Sequence, residues 1–196
     1  RLPGYTRVGI IVYSFAPAHL RARRLALGKF LPQKPARSEM MDFINNNIRS
    51  ISRVVILPEF RGVGLGSFLV KNTLEKVGVK LIESVAAMGT VNCFLERAQM
   101  TKFIPPVSER RKSVTAVLKN TGLTEQELLN PDWALDYINR LCPSVQSRLW
   151  LKIDKFNAAY GKKRLLTDKR EKLALTLSKL AAETAYFYWI RGMSDV

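Results

Sequence analysis

The sequence predicts an α/β domain followed by an all-helical part. Two observations predict this organisation. Short, β-branched strands alternate with helical segments up to about residue 105, and beyond that point every predicted element is a helix. A buried strand, a glycine-rich turn, a helix and another strand also follow one another over residues 51–88, which is the order of a crossover between parallel strands. We therefore predict one domain over residues 1–105 and a helical extension over residues 106–196.

The first part contains four predicted strands and three predicted helices. Residues 8–15 are β-branched and aromatic, and Pro17 ends this segment. Apolar and basic residues alternate partly over residues 19–27, so we predict a second strand there. Apolar runs within 51–57 and 80–88 are typical of strands that are buried on both faces. The predicted helices cover residues 39–46, 63–77 and 90–99.

The second part contains five predicted helices, which glycines and prolines separate. They cover residues 113–120, 124–129, 132–141, 145–160 and 167–191. The last is the longest, and it has aromatic side chains all round at residues 186–189, which favours burial against another surface.

Basic residues dominate the charge of the chain. Thirty-two lysines and arginines oppose sixteen acidic residues, which gives a formal net charge of +16. The excess lies in both parts, with 16 basic against 6 acidic residues up to residue 105 and 16 against 10 beyond it. Such a charge favours an anionic partner: nucleic acid, an acidic membrane surface or a polyphosphate ligand. Solvated surface charge is the alternative interpretation.

The sequence lacks the marks of a membrane-spanning protein, a metal site and a disulfide framework. No stretch approaches the roughly 20 apolar residues that a membrane span needs. Cys93, Cys142 and the single His19 do not have the spacing of metal ligands. We therefore expect no metal, no membrane partner and a reducing, cytoplasmic compartment.

A glycine-rich turn over residues 61–66 is the most informative feature of the sequence. Its sequence is Arg-Gly-Val-Gly-Leu-Gly, and it lies between a buried strand and a helix. Backbone N–H groups at such a turn converge near the positive end of the helix dipole and bind phosphate. A tight turn without a ligand is the alternative. The spacing excludes a nucleotide-hydrolase loop, because Ser67 and Phe68 follow Gly66 where Lys and Ser or Thr are required.

This turn resembles the signature of the GNAT N-acetyltransferase superfamily, which is Arg or Gln, two residues, Gly, one residue, then Gly or Ala. Arg61, Gly64 and Gly66 occupy the three fixed positions, and residues 56–60 match the family's lead-in. The chain is most similar to the acetyltransferase domains that are fused to ABC-type ATPases, over about residues 8–100. The resemblance implies a mixed, splayed central sheet with flanking helices. It also leaves the acceptor open, because the two helices that usually precede the first strand, and that shape the acceptor site in the family, do not occur between Arg1 and that strand.

The resemblance implies acetyl-CoA as the cofactor and assigns its binding residues. Backbone N–H groups of residues 63–66 would hold the diphosphate, and the end of the preceding strand would bind the pantetheine arm and the acyl carbonyl. Asn92 would touch the pantetheine. The cofactor-binding residues implied in this way are Val55, Ile56, Leu57, Arg61, Gly62, Val63, Gly64, Leu65, Gly66, Ser67 and Asn92.

Acyl transfer to an amine also needs a base for the amine and an acid for the departing thiolate. In the family a tyrosine often acts as this acid. The resemblance places it at Leu95, whose side chain has no proton to donate. Cys93 is the nearby candidate acid, with a buried packing cysteine as the alternative. Glu83 is the candidate base, with a structural partner of an arginine as the alternative. Tyr13, on the first strand, is the candidate for binding the acceptor at the catalytic site, with a core tyrosine as the alternative.

The dense basic cluster after the first strand supplies candidate contacts to nucleic acid. They are Arg21, Arg23, Arg24 and Lys29. We therefore predict an acyl-CoA-dependent N-acyltransferase whose acceptor amine lies on or near a nucleic acid, such as a DNA or RNA base. The alternatives are an inactive or weak GNAT scaffold that binds nucleic acid or protein, and an acetyltransferase for proteins or small amines. Three roles stay open for the helical part: forming a homodimer, covering the cleft and binding the acceptor.

Overall fold

The computed structural model describes residues 7–87, 89–123, 127–159, 167–181 and 184–192. The chain divides into two compact units. The first comprises Arg1–Pro105 and Glu183–Val196, and the second comprises Pro106–Ala182. The division after Pro105 coincides with the boundary drawn from the sequence. The last segment of the chain returns to the first unit, so the predicted extension over residues 106–196 is too long.

A mixed, five-stranded open sheet forms the centre of the first unit. Its strands are β1 (Gly9–Phe15), β2 (Ile48–Ile56), β3 (Leu81–Ala86), β4 (Thr101–Phe103) and β5 (Ala185–Ile190). Across the sheet they lie in the order β1-β2-β3-β5-β4. Strands β2 and β3 are parallel, and the other neighbours are antiparallel. The predicted crossover between parallel strands is confirmed.

Helices cover both faces of this sheet. They are α1 (Arg21–Leu27), α2 (Arg37–Asn47), α3 (Leu65–Leu74) and α4 (Phe94–Arg97). Successive residues of β3 point to opposite faces. Leu81 packs with residues of α1 and α2, whereas Ile82 packs with residues of α3 and α4. The sheet is therefore buried on both faces at its centre, as the predicted α/β class requires.

Strands β2 and β3 pair only near their beginnings. Residues 48–50 of β2 lie beside residues 81–83 of β3. Beyond this point β2 pairs with β1 alone, and the hydroxyl of Ser84 donates to the carbonyl of Ile51 at 3.3 Å. The backbone pairing of the two strands therefore ends after the first third of β2 and the first half of β3, which is the splay that the resemblance implies.

The second unit is helical in its described part. Its helices are α5 (Glu109–Asn120), α6 (Pro131–Arg140), α7 (Pro143–Ala158) and α8 (Lys169–Ala181). Ser108 accepts a hydrogen bond from the N–H of Arg111 at the start of α5, and Asn130 accepts two at the start of α6. Leu118, Ile138 and Leu149 are fully buried in a shared apolar core. The predicted helical character of this part is confirmed.

Two predictions of local structure are wrong. Residues 19–27 contain helix α1 rather than a strand, because Ala22, Arg23 and Leu27 point inward at helical spacing. Residues 167–191 do not form one helix, because α8 ends at Ala181 and β5 inserts between β3 and β4. The short strand β4 was not predicted. No helix within the described ranges is long and apolar enough to cross a membrane.

Candidate functional site

The glycine turn lies between the end of β2 and the start of α3. A 3-10 turn, Pro58–Phe60, follows β2, and Gly62 and Gly64 then have φ angles of 85° and 87°. A side chain is strained in this left-handed region, which explains the glycines. A Cβ atom at either position would meet nothing within 4 Å. The backbone conformation therefore requires these glycines, and the space beside them is open.

The N–H groups of this turn form a row of free donors. Within the described ranges, none of the backbone N–H groups of residues 62–67 donates to a protein acceptor. The first bonded group is that of Phe68, which donates to the carbonyl of Gly64 at 3.0 Å. The first turn of any helix leaves such groups unpaired, at the positive end of its dipole. Here they continue into the preceding loop, and consecutive N–H groups of this kind are suited to a phosphate or diphosphate.

Two side chains predicted to bind the cofactor brace the turn instead. The Nε of Arg61 donates to the carbonyl of Ile56 at 3.0 Å, which folds this side chain back onto the end of β2. The hydroxyl of Ser67 donates to the carbonyl of Phe94 at 2.8 Å, which joins α3 to α4. These two residues therefore hold the backbone of the turn in place, and the free donors are backbone groups.

An open strand edge leads into the turn. Because β2 leaves β3 after Ser50, residues 51–56 of β2 pair with no described strand on their β3 side. Near the end of β2 several backbone groups are already bonded: the N–H of Leu57 donates to the carbonyl of Val8 at 2.9 Å, and the carbonyl of Ile56 accepts the bond from Arg61. An unpaired strand edge binds an extended chain through its backbone groups. In the sequence the 3-10 turn, Pro58–Phe60, lies between the end of β2 and the row of N–H donors.

The beginning of α4 adjoins the glycine turn. A Cβ atom on Gly66 would lie 3.6 Å from the ring of Phe94. The side-chain oxygen of Asn92 accepts the N–H of Phe94 at 3.2 Å, and its amide nitrogen has no partner among the described residues. Asn92 and Cys93 are both exposed. Both residues directly precede Phe94, whose carbonyl accepts the bond from Ser67. Because Cys93 is exposed, the alternative of a buried packing cysteine is wrong.

Glu83 lies away from the turn, in a buried ion pair with Arg23. The Nε and Nη2 atoms of Arg23 donate to Oε2 and Oε1 of Glu83 at 2.8 and 2.6 Å, and the hydroxyl of Tyr186 donates to Oε2 at 2.9 Å. Burial, and then the adjacent charge of Glu83, raises the pKa of Tyr186 far above its usual range, so it remains a donor. This is the geometry of the alternative interpretation, a structural partner of an arginine.

Tyr13 points to the other face of the sheet, toward α3. Its hydroxyl lies 2.7 Å from the hydroxyl of Thr73, whose own proton is directed to the carbonyl of Leu69, so Tyr13 is the donor. Burial raises the pKa of Tyr13 above its usual range. The structure therefore does not bring the three catalytic candidates together, since Glu83, Tyr13 and Cys93 lie in three different places.

The basic candidates separate into exposed and buried residues. Arg21, Arg24 and Lys29 are exposed on α1 or just after it. Arg23 is only 2% exposed and is bound to Glu83, so its prediction as a contact to nucleic acid is wrong. Leu95, where the resemblance places an acid, is 1% exposed in the apolar core. Across the described ranges, no three His, Cys, Asp or Glu side chains form a group that could hold a metal ion.

Comparisons with known proteins add no assignment to this geometry. No family model, no curated protein and no solved structure matches the chain. The interpretation of the site rests on its own backbone geometry and on the resemblance described for residues 61–66.

Proposed function

We propose that the chain is an acyl-CoA-dependent N-acyltransferase that uses acetyl-CoA. The observation that carries the proposal is the row of free N–H groups over residues 62–67, which follows β2 and its 3-10 turn. A diphosphate on this row leaves the pantetheine arm beside the open edge of β2, with its thioester directed toward the splay between β2 and β3. The sequence signature at residues 61–66 supports the same placement.

Coenzyme A fits both parts of this surface at once. Its diphosphate needs several donors and positive potential, which the turn and the dipole of α3 supply. Its arm is an extended chain with amide groups, which hydrogen-bond to an unpaired strand edge as an added strand does. An ordinary nucleotide would use the turn and leave the strand edge empty. The combination therefore favours coenzyme A over a simple nucleotide.

The proposed acceptor is an amine on or near a nucleic acid. The net charge of +16 supports it, as do the exposed Arg21, Arg24 and Lys29, because cations on one surface attract a phosphate backbone. The unprotonated amine attacks the thioester carbonyl, the carbon–sulfur bond breaks and the thiolate of coenzyme A leaves. The amine loses its proton to a base, and the thiolate gains one from an acid.

Two observations favour a second candidate, a binding module with little or no turnover. Glu83, the candidate base, is enclosed in its ion pair with Arg23. Leu95 is a buried apolar residue at the position of the expected acid. The remaining candidate acid is Cys93, which is exposed just before α4. A scaffold of this kind would hold nucleic acid or a protein partner without acylating it.

Calorimetric titration with acetyl-CoA tests the cofactor site. Gly64→Asp should abolish binding, because its carboxylate repels the diphosphate and competes for the same N–H groups. Gly78→Asp is the matched control, since Gly78 also has a left-handed backbone, with φ 80°, and open space around it. Asp is among the residues that tolerate this conformation best. Equal affinities for wild type and Gly64→Asp would remove the proposed diphosphate site.

Mass spectrometry of nucleic acid and protein incubated with labelled acetyl-CoA tests turnover and identifies the acceptor class. A label on a base or on a nucleic-acid-associated amine supports the proposed enzyme. Binding of acetyl-CoA without transfer to any acceptor supports the second candidate. Transfer by Cys93→Ala at the wild-type rate would exclude this thiol as the acid.

A further inference from the structure

A cavity of about 650 Å³ lies between α1 and α2, apart from the glycine turn. It is partly open to solvent and belongs entirely to the first unit. Sites for small organic molecules have volumes of roughly 300–1,000 Å³, so the cavity has the size of a ligand site. None of the residues predicted to bind the cofactor lines it.

One part of the cavity wall is apolar. Met40, Met41 and Ile44 of α2 line it, together with Leu20 and Leu31. Ile44 is 1% exposed, so the wall continues into the core between the helices and the sheet. Methionine side chains are unbranched and adapt to ligands of different shape. Covering this wall with apolar atoms removes it from water, which is favourable.

The other part of the wall carries positive charge. Arg21, Arg24 and Arg37 line the cavity, and none of its lining residues is acidic. Arg24 and Arg37 are exposed and form no ion pair within the described part of the chain. Guanidinium groups bind carboxylate and phosphate oxygens through paired hydrogen bonds. The cavity therefore has cationic donors that the protein itself does not satisfy.

Arg23 lies in the buried part of the wall. It lines the cavity and is 2% exposed. Its Nε and Nη2 atoms donate to Glu83, and Nη2 also donates to the carbonyl of Pro17 at 2.9 Å. Its Nη1 atom has no acceptor among the described residues. Arg23 therefore gives the buried end of the wall a fixed guanidinium that is paired with Glu83.

We propose that this cavity binds a small organic anion that has an apolar body and an oxyanion head group. The head group lies between Arg24 and Arg37, and the body lies against Met40, Met41 and Ile44. The proposal does not depend on acetyl-CoA, because the two sites share no residue. Inorganic phosphate would occupy only the cationic part, and a nucleic-acid strand would leave the apolar wall uncovered, so an amphipathic ligand fits best.

Two fluorescent probes with the same rings test the proposal. The first is 8-anilinonaphthalene-1-sulfonate, and the second is N-phenyl-1-naphthylamine, which lacks the sulfonate. The wild-type chain should bind the sulfonate at least about tenfold more tightly, as expected for one or two charge-assisted hydrogen bonds. The double variant Arg24→Gln/Arg37→Gln should lose this preference and still bind the neutral probe. Arg53→Gln changes an exposed arginine of β2 outside the cavity and should retain the preference.

A second set of measurements separates the cavity from nonspecific probe binding. Met41→Trp fills the cavity and should weaken the binding of both probes. The midpoint of its thermal unfolding reports whether this variant is folded. Decanoate and decyl phosphate should displace the sulfonate probe, and decanol should not, with the stronger competitor identifying the head group. Equal affinity for the two probes would overturn the proposal. Displacement by a single-stranded oligonucleotide but by neither amphiphile would also overturn it, and would assign the arginines to nucleic acid.

Discussion

The guanidinium of Arg23 on α1 forms a two-point ion pair with the carboxylate of Glu83 on β3, with contacts of 2.6 and 2.8 Å. Both side chains are buried, and Tyr186 on β5 donates to the same carboxylate. One carboxylate therefore joins a helix and two strands. Because charges are costly to bury without a partner, each member of this network depends on the other two.

Removing one partner of this ion pair should destabilise the first unit strongly. Glu83→Leu leaves the charge of Arg23 buried and unpaired, and we expect a loss of about 3–5 kcal/mol in the free energy of unfolding. The double variant Arg23→Met/Glu83→Leu should lose much less than Glu83→Leu alone, because it leaves no buried charge. Urea denaturation measures the loss, and hydrogen exchange in β3 and β5 assigns it to the first unit. A double variant as unstable as Glu83→Leu would contradict this account.

The stability of the first unit should fall at alkaline pH because of Tyr186. Its pKa is raised in the folded chain, whereas an unfolded tyrosine has a pKa near 10. Below about pH 10 the hydroxyl is protonated in both states, so its contribution is constant. Above that pH the unfolded chain loses the proton first, which favours unfolding by up to about 1.4 kcal/mol per pH unit.

The variant Tyr186→Phe separates this effect from other alkaline effects. At pH 8 it should be less stable by about 1.5–3 kcal/mol, because it loses a hydrogen bond to a charged group. Between pH 10 and pH 11 its free energy of unfolding should fall less steeply than that of the wild type. Urea denaturation across this range measures both slopes. Parallel slopes would show that Tyr186 ionises normally in the folded chain.

The parts of the fold that depend on local sequence were predictable. Strands β2 and β3 are apolar runs with Pro58 and Gly78 as stop signals around the helix between them, so their order and parallel pairing followed. Strand β5 was not predictable in the same way. Tyr186 faces α1 and α2 and Phe187 faces α3 and α4, so the strand is buried on both faces and lacks the alternation that marks a strand.

The candidate site, too, was predictable only where it depends on local sequence. The glycine turn was predictable, because its N–H row follows from the spacing of Gly62 and Gly64 within one short segment. The sequence offered an arginine partner for Glu83 but did not identify Arg23, because the two residues lie 60 positions apart. The strand predicted for residues 19–27 also hid the helical spacing that turns Arg23 inward. The cavity depends on the packing of α1 against α2. Its arginines and methionines appear in the sequence only as two unrelated clusters.

Two glycines of the turn should respond to alanine in opposite directions. Gly64 has φ 87°, so Gly64→Ala should lower the free energy of unfolding by about 1–2 kcal/mol through backbone strain. Gly66 lies within α3, and its Cβ would make an ordinary contact with Phe94 at 3.6 Å. Gly66→Ala should therefore raise the free energy of unfolding by about 0.5–1 kcal/mol. Thermal denaturation of both variants checks the signs, and a stabilised Gly64→Ala would contradict the left-handed turn.

The two cysteines are both exposed but differ in their surroundings. Cys93 lies at the start of α4, beside the glycine turn, and Cys142 precedes α7. A hydrogen bond with the hydroxyl of Ser144, and then one with the N–H of Val145, lowers the pKa of the Cys142 thiol, because these donors stabilise the thiolate. The thiolate is the form that reacts with electrophiles. Cys142 therefore carries more of the reactive form near neutral pH than a thiol with the ordinary cysteine pKa.

Both thiols should be alkylated by iodoacetamide in the folded chain, with Cys142 the faster at pH 7.5. Mass spectrometry of the labelled peptides measures the two rates. Ser144→Ala should slow the alkylation of Cys142 and leave the alkylation rate of Cys93 unchanged, because only the Cys142 thiolate loses a hydrogen-bond donor. Acetyl-CoA bound as proposed should protect Cys93, since the pantetheine arm then lies against the start of α4. Labelling of Cys93 only after denaturation would mean that it is buried, and would remove the thiol from the surface beside the glycine turn.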